Sequence, residues 1–190
     1  MAASTCTEAV EPLSKLEVRD LMLVRGERVV QRDLSFRVAS GEMLAVGGRN
    51  GAGKTSLLRA IAGLLIPRSG SILFHLDGAR TVATAEERGQ FVGWIGHQDG
   101  VKAQLTPREH LRFHTSFYRS AGDIEGALAR TGLTQFRDLP AQYLSAGQRR
   151  RLAFARLLLG RRPLWLFDEP LSALDAQGKD FVRQSIVRHC

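Results

Sequence analysis

The sequence predicts an α/β layered fold, and three observations carry that prediction. Short apolar runs that read as strands alternate with segments whose apolar residues recur at helical spacing. A Gly-rich stretch, Gly48 to Thr55, lies between one such run and a helical segment and fits G-x-x-x-x-G-K-[ST] at every fixed position. A second apolar run, Leu164 to Phe167, ends in the acidic pair Asp168 and Glu169. At 190 residues the chain is long enough to bury a core of its own and suits one domain, or one domain with a short appendage.

Each element follows from its local pattern. Residues 1–15 are rich in Ser, Thr, Ala and Glu and lack both a basic start and an apolar stretch, so a flexible leader is expected rather than a secretory signal. Leu16 to Val24 and Val29 to Val38 alternate apolar and polar residues around Arg25-Gly26-Glu27-Arg28, which predicts an antiparallel hairpin. Met43 to Val46 is a continuous apolar run, the mark of a strand buried on both faces. Leu57, Leu58, Ile61, Leu64 and Leu65 then keep helical spacing. Ser71 to His75 and Phe91 to Ile95 read as strands separated by a polar excursion. From Thr106-Pro107 to about Thr131 the pattern is helical, with Pro107 in the first turn and Leu111, Phe113 and Phe117 on or near one face. Leu152 to Leu159 is a further helix, and Leu164 to Phe167 a fully buried strand.

Composition removes several classes. With 44% hydrophobic and 24% charged residues the chain is neither disordered nor collagen-like, and two cysteines, Cys6 and Cys190, make no disulfide framework. No apolar run reaches the ~18–20 residues that span a bilayer, so no direct membrane span is expected. Lys+Arg 27 against Asp+Glu 19 gives +8, an attraction for polyanions. Its densest patch, Arg149, Arg150, Arg151, Arg156, Arg161 and Arg162, reads equally as a solvated helix face or a functional surface.

The chemistry gathers at the Gly-rich loop. Glycines let backbone N–H groups converge on phosphate oxygens, and the helix N-terminus adds a favourable dipole. Lys54 can reach the β- and γ-phosphates of a nucleotide, and the Thr55 hydroxyl can ligate Mg²⁺. Asp168, at the end of a strand, can hold the metal's water shell, and Glu169 can activate the attacking water. Two adjacent carboxylates repel each other unless a cation stands beside them. Leu144-Ser145-Ala146-Gly147-Gln148 is a small-residue turn that opens a helix and presents N–H groups and a hydroxyl to an anion. His110 and His114 share a helical face, but no third ligand accompanies them, so a solvated or partner-facing side is expected rather than a metal site.

Gly48 to Thr55, Gln98, LSAGQ, LWLFDEP and Ser172-Ala173-Leu174-Asp175, in that order, resemble the nucleotide-binding subunit of an ABC transporter. The resemblance implies a P-loop NTPase of the ABC ATPase cassette type: a mixed sheet core, an antiparallel β subdomain and a helical subdomain at about residues 99–150, all within residues 16–190. It implies ATP and Mg²⁺ as ligands, with Gly48, Arg49, Asn50, Gly51, Ala52, Gly53, Lys54 and Thr55 around the phosphates and Thr55, Gln98 and Asp168 toward the metal. Glu169 and Gln98 would be catalytic. The implied assembly is a head-to-tail homodimer in which Ser145 and Gly147 of one copy cap the γ-phosphate held by the other, with Asp175 at the seam. Trp94 to Thr106, containing GHQDGVKAQLT, together with LSAGQ, is similar to the ATP-binding subunits of the haem exporters of cytochrome c maturation. That narrower resemblance implies integral membrane partner subunits, a place on the cytoplasmic face of the bacterial inner membrane, and ATP hydrolysis that drives haem delivery to c-type cytochromes.

The sequence departs from the family pattern at two places. Arg25 stands where many members place an aromatic residue against adenine; a guanidinium can also stack on a base. After Asp175 the family continues to a further strand and a γ-phosphate-sensing histidine, so a cassette shortened at its C-terminus is expected, with His189 an exposed helix-end residue rather than that histidine. The alternatives are the ATPase of another small ABC exporter, a nucleotide-binding cassette that hydrolyses weakly, and a soluble nucleic-acid-associated ABC ATPase. The last would need coiled-coil heptads or a second cassette, and the sequence has neither, so no nucleic acid is expected as partner.

Overall fold

The computed structural model describes residues 11–118, 122–172 and 174–190. Most of the expected leader, with Cys6, and Ala173 of the Ser172-to-Asp175 motif lie outside them. The chain divides into two compact units. Among the described residues, one takes in 11–94 with Arg162–Asp168 and Arg188–Cys190; the other takes in Ile95–Arg161 and Glu169–Val187.

In the first unit, β1 (Leu13–Arg25), β2 (Arg28–Ala39), β3 (Ser69–Leu76) and β4 (Thr81–Val82) form an antiparallel sheet in the order β2-β1-β3-β4. The expected hairpin is present, closed by Gly26 at φ 60° in a two-residue loop. β1 starts at Leu13, inside the stretch expected to be leader. Leu16 and Val18 face the core, paired with Val38 and Phe36 on one side and with Phe74 and Ile72 on the other. A regular strand would then turn Leu21 and Leu23 to solvent, since side chains alternate. A bulge at Arg19 and Asp20, with Asp20 at φ 47°, shifts the phase, and both leucines are fully buried. Gly70 is required opposite it: a Cβ there would stand 2.5 Å from the carbonyl oxygens of Arg19 and Asp20.

The sheet packs against α1 (Lys54–Ile61) through Leu57, Ala60 and Ile61. Leu64 and Leu65, expected on this helix, lie beyond its end, and Leu64 is exposed. Arg88, at the end of α2 (Ala85–Arg88), is buried and donates to the carbonyls of Ala60 and Ile61, closing the negative end of α1. β5 (Val92–Ile95) and β6 (Leu164–Phe167) form a two-stranded sheet; β6 is not the fully buried strand expected, since of its four residues only Leu166 is buried. Met43 to Val46 is not the expected buried strand. It joins neither sheet, and Met43 and Leu44 are 71% and 50% exposed. A strand exists only against a neighbour that completes its hydrogen bonds, and among the described residues none does so here.

His189 differs from expectation too. It ends α6 (Ala176–His189), but its ring stacks on Trp165 at 3.8 Å and its Nε2 lies 3.1 Å from the Pro163 carbonyl. Burial pushes its pKa down, which favours the neutral ring.

Outside the core, one carboxylate organises the sheet. Glu17 is buried and meets Arg19 Nη2 at 2.8 Å, Arg37 Nε at 2.7 Å and His75 Nε2 at 3.0 Å. Its pKa falls from the ordinary 4.5 to about 2, chiefly through the Arg19 hydrogen bond and, against the opposing effect of burial, through those from Arg37 and His75. The folded chain therefore keeps this group ionised where the unfolded chain has taken up a proton. Its contribution to stability is complete above pH 4.5 and lost as the pH falls toward about 2. Glu17→Gln is expected to lower the thermal midpoint at neutral pH, with the gap to wild type closing in that acidic window. Melting curves across pH check this, and a gap independent of pH would contradict it.

The second unit is helical: α3 (Pro107–Phe117), α4 (Ile124–Arg130), α5 (Ala146–Gly160) and most of α6. Thr106 and Glu109 form a capping box at the start of α3, with Pro107 in its first turn as the sequence predicts. Leu111, Leu128, Leu133, Leu144, Leu152 and Leu159 form its core. Phe113 and Phe117 do not share the face of Leu111. They are exposed and stack on each other at 6.2 Å, because two residues along a helix turn about 200° around it. His110 is also not on a solvated side: it is buried, and its Nε2 accepts the Lys102 N–H at 2.7 Å.

Candidate nucleotide site

In the first unit, the segment from Gly47 to Gly53 is a loop, exposed as far as Ala52, that enters α1 directly. Gly53 is the N-cap of α1 in the left-handed region, at φ 93°, and a Cβ there would stand 3.0 Å from the Val30 carbonyl oxygen. The left-handed φ and the close approach of β2 together favour glycine there. Gln31 of β2 donates to the Ala52 carbonyl at 2.8 Å and ties the loop to the sheet, a role that no sequence pattern announces. The first turn of α1 carries no acidic residue, so nothing there opposes an anion.

Lys54 turns back over the loop, and its Nζ donates to the carbonyls of Gly48 at 2.7 Å and Arg49 at 3.0 Å. Arg49, Asn50, Gly51 and Ala52 are exposed along the same loop. Asp168 follows β6 directly and is buried, and Thr55 Oγ1 donates to its Oδ2 at 2.9 Å. Two residues far apart in sequence are thereby brought together as the motifs predict. A hydroxyl and a carboxylate side by side are hard oxygen donors suited to Mg²⁺, which takes one or two carboxylates and completes its shell with phosphates and water. Arg25 lies exposed at the hairpin turn, paired across it with Arg28.

The second unit holds the remaining candidates. Ser145 is the N-cap of α5: its hydroxyl accepts the Gln148 N–H, and Gln148 Oε1 accepts the Ser145 N–H at 2.7 Å. The LSAGQ turn is therefore a capping box that leaves Ser145 and Ala146 exposed at a helix N-terminus. Asp175 is exposed and accepts the Gly178 N–H at 2.8 Å in the first turn of α6. Gln98 is exposed. Glu169 is exposed in the left-handed region at φ 56°, and its Oε2 lies 3.7 Å from Nδ1 of His97. His97 is a neighbour that the sequence displayed beside Gln98 but gave no reason to link with Glu169.

Known proteins resemble this chain over most of its length. The sequence profile of the ABC transporter family matches residues 31–172. A protein of Hyphomonas neptunium named cytochrome c biogenesis ATP-binding export protein CcmA is 46% identical over 183 residues, covering 96% of this chain and 86% of its own. A protein of the same name from Rhodopseudomonas palustris is 49% identical, covering 92% of this chain and 86% of its own. Among solved structures, a putative ABC transporter ATP-binding protein from Pyrococcus furiosus aligns with a TM-score of 0.79 and 26% identity, over 92% of this chain and 85% of that one. The match extends from β2 through the loop, α5 and the acidic end of β6, and the chain belongs to the ABC transporter family of ATP-binding proteins.

Proposed function

We propose that the chain is the ATP-hydrolysing subunit of a bacterial exporter that delivers haem for the assembly of c-type cytochromes. The observation that carries this reading is the run of relatives, 42–49% identical over most of the chain, that bear the name of a cytochrome c biogenesis export protein. Among the described residues no helix is long and apolar enough to cross a membrane. Export therefore calls for integral membrane subunits, with this chain held at the cytoplasmic face of the inner membrane.

In the chemistry that follows, loop N–H groups and Lys54 hold the nucleotide phosphates, and Arg25 stacks on the base. Thr55 and Asp168 would hold Mg²⁺, and the family resemblance assigns Gln98 to the same cation; bound there, the metal would offset the negative charge on the phosphates. Gln98 orients the attacking water and Glu169 accepts its proton. Ser145 and Gly147 of a second copy cap the γ-phosphate, and Asp175 lies at the seam; closing the two copies excludes bulk solvent while the attacking water is retained.

The test is purification of the tagged chain from its native membranes, paired with its deletion. The expected result is a polytopic membrane protein that co-purifies and, on deletion, loss of covalent haem from c-type cytochromes. A chain that purifies with nucleic acid in a salt-sensitive manner, and whose deletion leaves cytochromes intact, would overturn the proposal.

A further inference from the structure

Arg150 lies between two arginines on α5 and would pass for part of a solvated basic face. Instead it is 2% exposed and is among the bulkiest fully buried side chains of the described residues. Its guanidinium reaches two loops at once. Nη1 donates to the Gly96 carbonyl at 2.7 Å and to Asp99 Oδ1 at 3.0 Å, and Nη2 donates to the Glu169 carbonyl at 2.7 Å. Nε lies 3.4 Å from the Pro170 carbonyl. A buried cation is tolerated only when its donors are satisfied, and here one carboxylate and three carbonyls satisfy them. Only arginine presents enough donors in a rigid planar fork to hold both loops; a lysine ammonium is a single point.

Both loops carry residues assigned above to hydrolysis. Gly96 and Asp99 bracket Gln98. Glu169 adopts a left-handed backbone with a side chain attached, a conformation that persists only where the surroundings fix it. Its carbonyl is fixed from two sides, accepting Arg150 Nη2 and also the Ser172 Oγ at 2.9 Å and the Ser172 N–H at 3.2 Å. Further along α5, Arg156 donates to the carbonyls of Asp99 and Gly100 and holds the same loop a second time.

We infer that Arg150 is a positioning residue for ATP hydrolysis: from α5, whose first turn carries Gly147, it fixes the backbones that aim Glu169 and Gln98. The inference rests on the reading of Glu169 and Gln98 as catalytic. A shift of α5 is then transmitted to both residues through one side chain, so hydrolysis answers to what α5 contacts.

The experiment is steady-state ATPase kinetics of the full chain as Arg150→Lys, Asp99→Asn and Glu169→Gln, with melting curves to confirm folding. Misplacing a reacting group by about 1 Å costs on the order of 100-fold, so Arg150→Lys is expected to lower kcat roughly 10- to 100-fold with KM for ATP within about twofold of wild type. Asp99→Asn keeps an acceptor but weakens the clamp, and should lower kcat less, again with KM unchanged. A folded Arg150→Lys chain with wild-type kcat, or with a raised KM and unchanged kcat, overturns the inference. If Arg150→Lys does not fold, Asp99→Asn decides, and wild-type kcat there overturns it. Glu169→Gln separates the two levels: full turnover in that variant removes the catalytic assignment itself, whereas its loss beside an active Arg150→Lys removes only the role of Arg150.

Discussion

Lys54→Ala is expected to abolish ATP binding at concentrations that saturate the wild type. The loop from Gly48 to Gly53 offers backbone N–H groups and the start of α1, but these are partial charges, and a nucleotide brings several full negative ones. Lys54 is the full cation already folded over the loop, its Nζ on the Gly48 and Arg49 carbonyls, so phosphate oxygens need only replace those acceptors. A hydrogen bond to a charged group contributes about 1.5–3 kcal/mol, and an ammonium that meets two phosphates makes more than one. Affinity should therefore fall by at least about 100-fold. Among the described residues the side chain bonds only to its own loop, so the melting temperature should barely change, which separates lost binding from lost folding. Titration calorimetry with ATP checks this; unchanged affinity would remove the loop as the phosphate site.

That such a prediction can be written from the sequence reflects how chemistry constrains spacing. A phosphate loop needs glycine, lysine and a hydroxyl at fixed offsets, and a metal-binding carboxylate suits a strand end, so Thr55 and Asp168 are legible although they stand 113 positions apart. The hairpin is legible because alternation is a local property, yet the bulge at Asp20 is not, since it depends on Gly70 arriving from another strand. Met43 to Val46 reads as a strand by composition, but pairing is settled by neighbours, and neither sheet takes it in. Arg150, His110 and His189 mislead for one shared reason. Polar side chains on helices default to solvent in any sequence reading, and only tertiary packing reveals the carbonyls, backbone amide or indole that receive them.

Glu169→Gln should have the opposite signature to Lys54→Ala: intact ATP binding with turnover lowered by about 100- to 10,000-fold, the range a general base contributes. Glutamine matches glutamate in shape and accepts hydrogen bonds, but it cannot take a proton from water at neutral pH. The backbone at φ 56° is held through the Glu169 carbonyl, which the substitution leaves in place, so local geometry should persist. On the proposed reading the substitution also removes a negative charge that an anionic nucleotide would meet, so affinity should hold or rise. If two copies close over ATP, with Ser145 and Gly147 of each facing the other's nucleotide, blocked cleavage leaves them closed. Sedimentation at saturating MgATP should then show a dimer for Glu169→Gln and a mixture or monomer for wild type. A variant that stays monomeric with ATP bound would refute the closed pair, and one that still hydrolyses at the wild-type rate would move the proton acceptor to another residue, with His97, 3.7 Å from the same carboxylate, the first to replace.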